Sequence, residues 1–130
     1  GMYVTVPRTT RKAMAVLGNT VTGGVNGAAS VSAVRSGTTV THTFAHEAGT
    51  DFTPTTGILG YVYLDRAGNP VALSNIQRAS ATTTTMTLAS GVAGTLYWIY
   101  GSSITADITK YIKDNSTNGL ILRSCAIPVA

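Results

Sequence analysis

Polar and apolar residues alternate with a period of two along most of this chain, the spacing of a strand with one buried face. The clearest case is Thr38 to His46, where Val40, His42, Phe44 and His46 fall on one side and Thr39, Thr41, Thr43 and Ala45 on the other. Thr83 to Leu88 repeats the pattern, with Thr84, Met86 and Leu88 set against Thr83, Thr85 and Thr87. Further strands are expected over Ser30–Arg35, Ile58–Asp65, Val71–Ser74, Ile76–Ala81, Thr95–Tyr100 and Gly119–Ile127, the last closed by Pro128. Ser36-Gly37 and Arg66-Ala67-Gly68-Asn69-Pro70 supply turn chemistry between them, and Glu47 to Gly57 reads as a loop.

The first 27 residues follow a different pattern. Tyr3–Val6 predicts a short strand stopped by Pro7. Thr9 to Leu17, with Ala13, Met14, Val16 and Leu17 apolar and Gly18-Asn19 behind them, predicts a short helix. Asn19 to Ala29 is rich in Gly and Asn and reads as a linker. The expected organisation is therefore an N-terminal strand, helix and linker over 1–27 and a β domain over 28–130. Seven or eight short strands with regular turn signals predict an all-β, antiparallel, immunoglobulin/fibronectin-III-like β-sandwich with a short N-terminal helix.

Composition sharpens this picture. Charged residues are 11% of the 130, and Thr alone supplies 22. A β-branched hydroxyl residue suits a pleated, half-exposed surface, so the surface is expected to be neutral and rich in hydroxyls. The net charge of +4 is spread out apart from Arg8, Arg11 and Lys12, and lacks the clustered cations of a nucleic-acid surface. Cys125, the single cysteine, permits no intrachain disulfide and reads as a small buried hydrophobe. No apolar run is long enough for a transmembrane helix and no secretory signal is evident. Gly1-Met2 resembles a tag remnant before a start methionine.

Candidate chemistry is thin. His42, His46, Glu47 and Asp51 are the one concentration of metal-capable side chains. Two His four apart on a strand lie about 13 Å apart, however, and no HExxH pattern is completed. No G-x-S-x-G elbow, convergent carboxylate pair or phosphate-binding Gly loop is present. No catalytic residue, metal or cofactor is therefore expected. Aromatic residues remain: Leu96, Trp98 and Tyr100 on one expected face of the last strong strand, Tyr97 and Ile99 on the other. Trp98 and Tyr100 read as core, with Tyr61 and Tyr63 facing them across the sandwich. An exposed member of the set would offer a stacking platform for a sugar ring, so Tyr97, Trp98 and Tyr100 form the candidate ligand-binding set, with Tyr97 the outward ring.

Several segments together carry a family likeness: SGTTVTHTF at Ser36–Phe44, HEAGTDF at His46–Phe52, TTMTL at Thr84–Leu88, YWIYG at Tyr97–Gly101 and KDNS at Lys113–Ser116. This set resembles the C-terminal β-sandwich of SGNH-type, sialate O-acetylesterase-like proteins of phages, prophages and bacteria. TTRKAMAVLGN resembles the last helix of an SGNH domain. The SGNH catalytic blocks have no counterpart in these residues. The resemblance therefore implies a non-catalytic accessory module that supports carbohydrate binding or attachment, located on a virion or at the cell surface. A structural tail or virion protein that oligomerises through its sandwich faces is the alternative. The expected partners are a glycan and either a second copy or a neighbouring catalytic domain, with neither nucleic acid nor membrane among them.

Overall fold

The computed structural model describes residues 26–100 and 107–130. The strand expected at Tyr3–Val6, the helix over Thr9–Leu17, most of the linker and the stretch 101–106 lie outside the described residues.

The described chain is antiparallel β structure with one 3-10 turn at Ile108–Lys110. Ten strands run in order: β1 Ala29–Ser36, β2 Thr39–Ala45, β3 Phe52–Thr53, β4 Tyr61–Asp65, β5 Pro70–Val71, β6 Leu73–Ser80, β7 Thr83–Leu88, β8 Gly94–Trp98, β9 Lys113–Asp114 and β10 Cys125–Val129. They form a four-stranded sheet ordered β1-β2-β7-β6, a second ordered β10-β8-β4-β5, and a two-stranded β3-β9 pair. Among the described residues no helix is long and apolar enough to cross a membrane.

The period-two pattern decides which side chains go inside. Val40, His42 and Phe44 of β2 and Thr84, Met86 and Leu88 of β7 are buried, as are Tyr61 and Tyr63 of β4 and Leu96 and Trp98 of β8. Residues from both four-stranded sheets belong to one apolar cluster. Burying each large apolar side chain contributes about 1.5–3 kcal/mol, so this shared core is the main favourable term. On the opposite side of the first sheet, register pairs Thr39 with Thr87, Thr41 with Thr85 and Thr43 with Thr83. The result is an uncharged ladder of threonines on the two central strands. Val34 extends it onto β1, 61% exposed, and bulged Val31 beside it is 64% exposed.

Several expectations are corrected. The strand expected from Ile58 starts at Tyr61, because Gly60 adopts φ +111°, a conformation that favours glycine. A Cβ there would also lie 2.8 Å from the Trp98 ring, so the bend makes room for the indole. The stretch read as one loop from Glu47 to Gly57 contains β3, which pairs with β9. Pro128 does not end the last strand but lies within β10. That strand is at the sheet edge, where a missing N–H is tolerated. Tyr61 and Tyr63 do not face Trp98 from across the core. They pair beside it in the same sheet, Tyr61 opposite Trp98 and Tyr63 opposite Leu96.

Candidate functional site

Each member of the expected aromatic set meets a different fate. Trp98 is 0% exposed. Its ring packs 4.7 Å from Tyr61 and 5.7 Å from Tyr111, and its Nε1 donates to the Leu122 carbonyl at 2.9 Å. A ring so enclosed, with its one donor engaged, offers nothing to a ligand. Trp98 therefore leaves the candidate site and belongs to the core. Tyr100 is corrected in the other direction. Strict alternation puts it on the Trp98 face, but β8 ends at Trp98 and Ile99 takes φ +38°, which breaks the alternation. Tyr100 lands 56% exposed, its ring 5.6 Å from that of Tyr97 and tilted 36° to it.

Tyr97 points outward from β8, half-buried, with Val62 of β4 and Ala126 of β10 on either side in register. It lines a shallow groove of about 390 Å³ with Leu64, Asp65, Arg66, Thr95 and Pro128. The turn at the groove's end is built by Asp65, whose Oδ1 accepts from the backbone N–H groups of Ala67 and Asn69 at 2.9 and 2.8 Å. Gly68, at φ +87°, lets the chain reverse there. The arrangement combines an aromatic face with a carboxylate, a guanidinium and a hydroxyl from Thr95, the mixture of stacking and hydrogen bonding that recognises a polar ring.

Two constellations escaped sequence reasoning. The first joins the segments that carry the family likeness. The Asn115 side-chain oxygen accepts from the backbone N–H groups of Thr50 and Asp51 at 2.8 and 3.2 Å, while the backbone N–H of Asn115 donates to the Asp51 carbonyl at 3.0 Å. Buried Asp114 uses Oδ1 to accept from the N–H groups of Ser116 and Leu120. Gly49 lies so close that an added Cβ would stand 2.7 Å from the Asp114 Cβ. Asp51 in turn forms a two-pronged pair with Arg78, at 2.9 and 3.1 Å, which holds its carboxyl below the usual carboxylate range. These contacts lock one loop to another. The signal was present in the acidic and amide residues of the two segments, but nothing in the sequence says that they meet.

The second lies inside the core. The ring of His42 is 0% exposed, with Nε2 at 2.8 Å from Ser30 Oγ and Nδ1 at 2.6 Å from the Tyr61 hydroxyl, which reaches Thr84 Oγ1 at 2.8 Å. This is a Ser–His contact, but Tyr61 occupies the place where a catalytic triad has a carboxylate, and the ring has no path to substrate. Burial lowers the His42 pKa to about 4 and raises that of Tyr61, so both are neutral near pH 7. The Sγ of Cys125 is 4.0 Å from His42 Nε2, half-buried against the core, and burial pushes its thiol up. His46 faces the same side of the chain as His42, and its Nε2 donates to the Ala81 carbonyl at 2.6 Å. Among the described residues no group of three or more His, Cys, Asp or Glu side chains is placed to hold a metal ion.

The groove at Tyr97 is thus the arrangement among the described residues best suited to a ligand, and it stands without precedent from relatives: no protein-family model, curated protein or solved structure matches this chain.

Proposed function

We propose that this chain is a non-catalytic accessory module, an immunoglobulin/fibronectin-III-like β-sandwich that binds carbohydrate on the outward face of the β10-β8-β4-β5 sheet. The observation that carries the reading is the outward ring of Tyr97 in a groove with Asp65 and Arg66. A sugar ring would stack its C–H face on Tyr97 and present hydroxyls to the polar side chains at the groove's end. The sandwich is supported by the single core shared by both sheets and by the Tyr61 hydroxyl, which reaches from β4 to His42 and Thr84 on the other sheet. The kinship with SGNH-associated modules of phages and bacteria rests on the resemblance of five segments. Two of them, His46–Phe52 and Lys113–Ser116, pack together here as one structural unit. The resemblance covers the accessory part of such proteins and none of their catalytic blocks, so the module itself has no hydrolase activity. The test is a glycan array probed with the intact chain, Tyr97→Ala and, as a distant control, Thr41→Ala. Binding that Tyr97→Ala abolishes and Thr41→Ala retains supports the reading, and an array negative for the intact chain sinks it.

A second reading, a virion or tail protein that self-associates through its sandwich faces, is favoured by the uncharged threonine ladder with exposed Val31 and Val34 at its margin. Light scattering separates the two. A strict monomer removes the structural reading, and an oligomer that Val34→Lys dissociates supports it.

A further inference from the structure

We propose that the His42 cluster is an acid-sensitive latch between the two four-stranded sheets: the imidazole fits only uncharged, and its protonation in mild acid loosens the contact between the sheets. The geometry stands on its own. His42 belongs to β2, and its partners come from four other strands: Ser30 of β1, Tyr61 of β4, Thr84 of β7 through Tyr61, and Cys125 of β10. The Phe44 ring packs edge-on at 5.5 Å. Tyr61 and Cys125 are the titratable groups that face the ring, and burial keeps both in their neutral forms near pH 7. Ser30 and Thr84 carry no charge. No carboxylate stands among these partners to compensate an imidazolium.

A neutral ring satisfies the cluster completely. With one nitrogen donating and the other accepting, a single line of hydrogen bonds runs from Ser30 to Thr84, in either direction. A second ring proton adds a full charge to a fully buried ring with no carboxylate among its partners, which is costly in a low-dielectric interior. Burial accordingly places the folded-state pKa near 4, against an ordinary 6.5. With the folded value depressed, the unfolded chain takes up the proton first. Stability is complete above pH 6.5 and falls as pH drops from there towards 4. Between pH 7 and pH 5 the unfolding constant rises about twentyfold through this one group, from the two pKa values. Carboxylates with ordinary pKa values remain largely ionised over that range, so the effect is separable from general acid unfolding.

The experiment measures urea unfolding of the intact chain at pH 7 and pH 5, with His42→Gln and His46→Gln alongside. The expected result is a rise of about twentyfold for the unaltered chain and for His46→Gln, with less than a threefold change for His42→Gln. A rise of less than threefold in the unaltered chain overturns the proposal, as does a full twentyfold rise in His42→Gln. Should His42→Gln fail to fold, an NMR titration of the His42 Cε1–H in the folded chain decides the matter. A resonance that stays at its neutral position down to pH 5 supports the latch; one that titrates near pH 6.5 without unfolding refutes it.

Discussion

Replacing Trp98 separates its structural role from the ligand role its residue type suggests. The indole fills the core beside Tyr61 and Tyr111, and its Nε1 satisfies the Leu122 carbonyl. Trp98→Ala removes the whole ring and leaves a cavity; large aromatic-to-Ala changes in cores cost about 3–5 kcal/mol. Trp98→Phe keeps much of the apolar contact but leaves the Leu122 carbonyl without its donor. A buried unpaired polar group costs about 1–3 kcal/mol, and the lost ring volume adds to that. Against a total stability of about 5–15 kcal/mol, Trp98→Ala brings the chain close to unfolding, whereas Trp98→Phe leaves it folded with a lower midpoint. Gly60→Ala provides an independent check. Its Cβ would meet the same ring at 2.8 Å in a backbone conformation that L residues avoid, so it too destabilises. The assay is urea unfolding followed by far-UV circular dichroism, since the fluorescence of the single Trp is lost with the mutation. A shift of less than about 1 kcal/mol for Trp98→Ala would refute the core role. Loss of glycan binding in Trp98→Phe at unchanged stability would return the residue to the candidate site.

Three further outcomes follow from the geometry. Gly94→Ala places a Cβ 2.0 Å from the Leu64 carbonyl oxygen, which cannot be accommodated without separating β4 from β8. The variant is expected to be insoluble or to melt far below the unaltered chain in a thermal scan. Breaking the half-exposed Asp51–Arg78 pair by Arg78→Ala has only a small effect at neutral pH, one that salt diminishes. The Asp51 carboxyl is held below its ordinary range. The pair's contribution is therefore present above that range and lost as pH falls through the folded value, and acid unfolding of Arg78→Ala should lack this component. Cys125, with its thiol pushed up by burial against the core, should react slowly with a maleimide at pH 8 and at an ordinary thiol rate once the chain is unfolded in urea.

How much of this was legible in the sequence varied with the range of the interaction. The buried faces of β2 and β7 follow directly from the period-two alternation over Thr39–Ala45 and Thr83–Leu88, and so does the threonine ladder opposite them. Alternation, however, carries no information about pairing partners. Tyr61 and Tyr63 were assigned correctly to the inside but to the wrong relation with Trp98, because inward residues look alike whether they come from the same sheet or the facing one. Tyr100 was misplaced by a single backbone angle at Ile99, a β-branched residue with no local mark of positive φ. The β3–β9 pair and the Asn115 lock join residues 60 or more positions apart, through hydrogen bonds that local pattern cannot announce. Of the candidate site, Tyr97 was legible as the outward ring. Its companions Asp65 and Arg66 read from the sequence only as the end of a strand and the start of a turn, since the groove exists only once β4, β8 and β10 are side by side.

The most direct measurement of ligand binding at Tyr97 is chemical-shift mapping of the isotopically labelled chain, titrated with the glycan that gives the strongest array signal. The expected result is a set of shifted amides confined to the groove face, around Val62, Asp65, Arg66, Thr95, Tyr97 and Ala126, and lost in Tyr97→Ala. Shifts centred instead on Thr39–Thr43 and Thr83–Thr87, or no saturable shifts with any array-positive glycan, would contradict it.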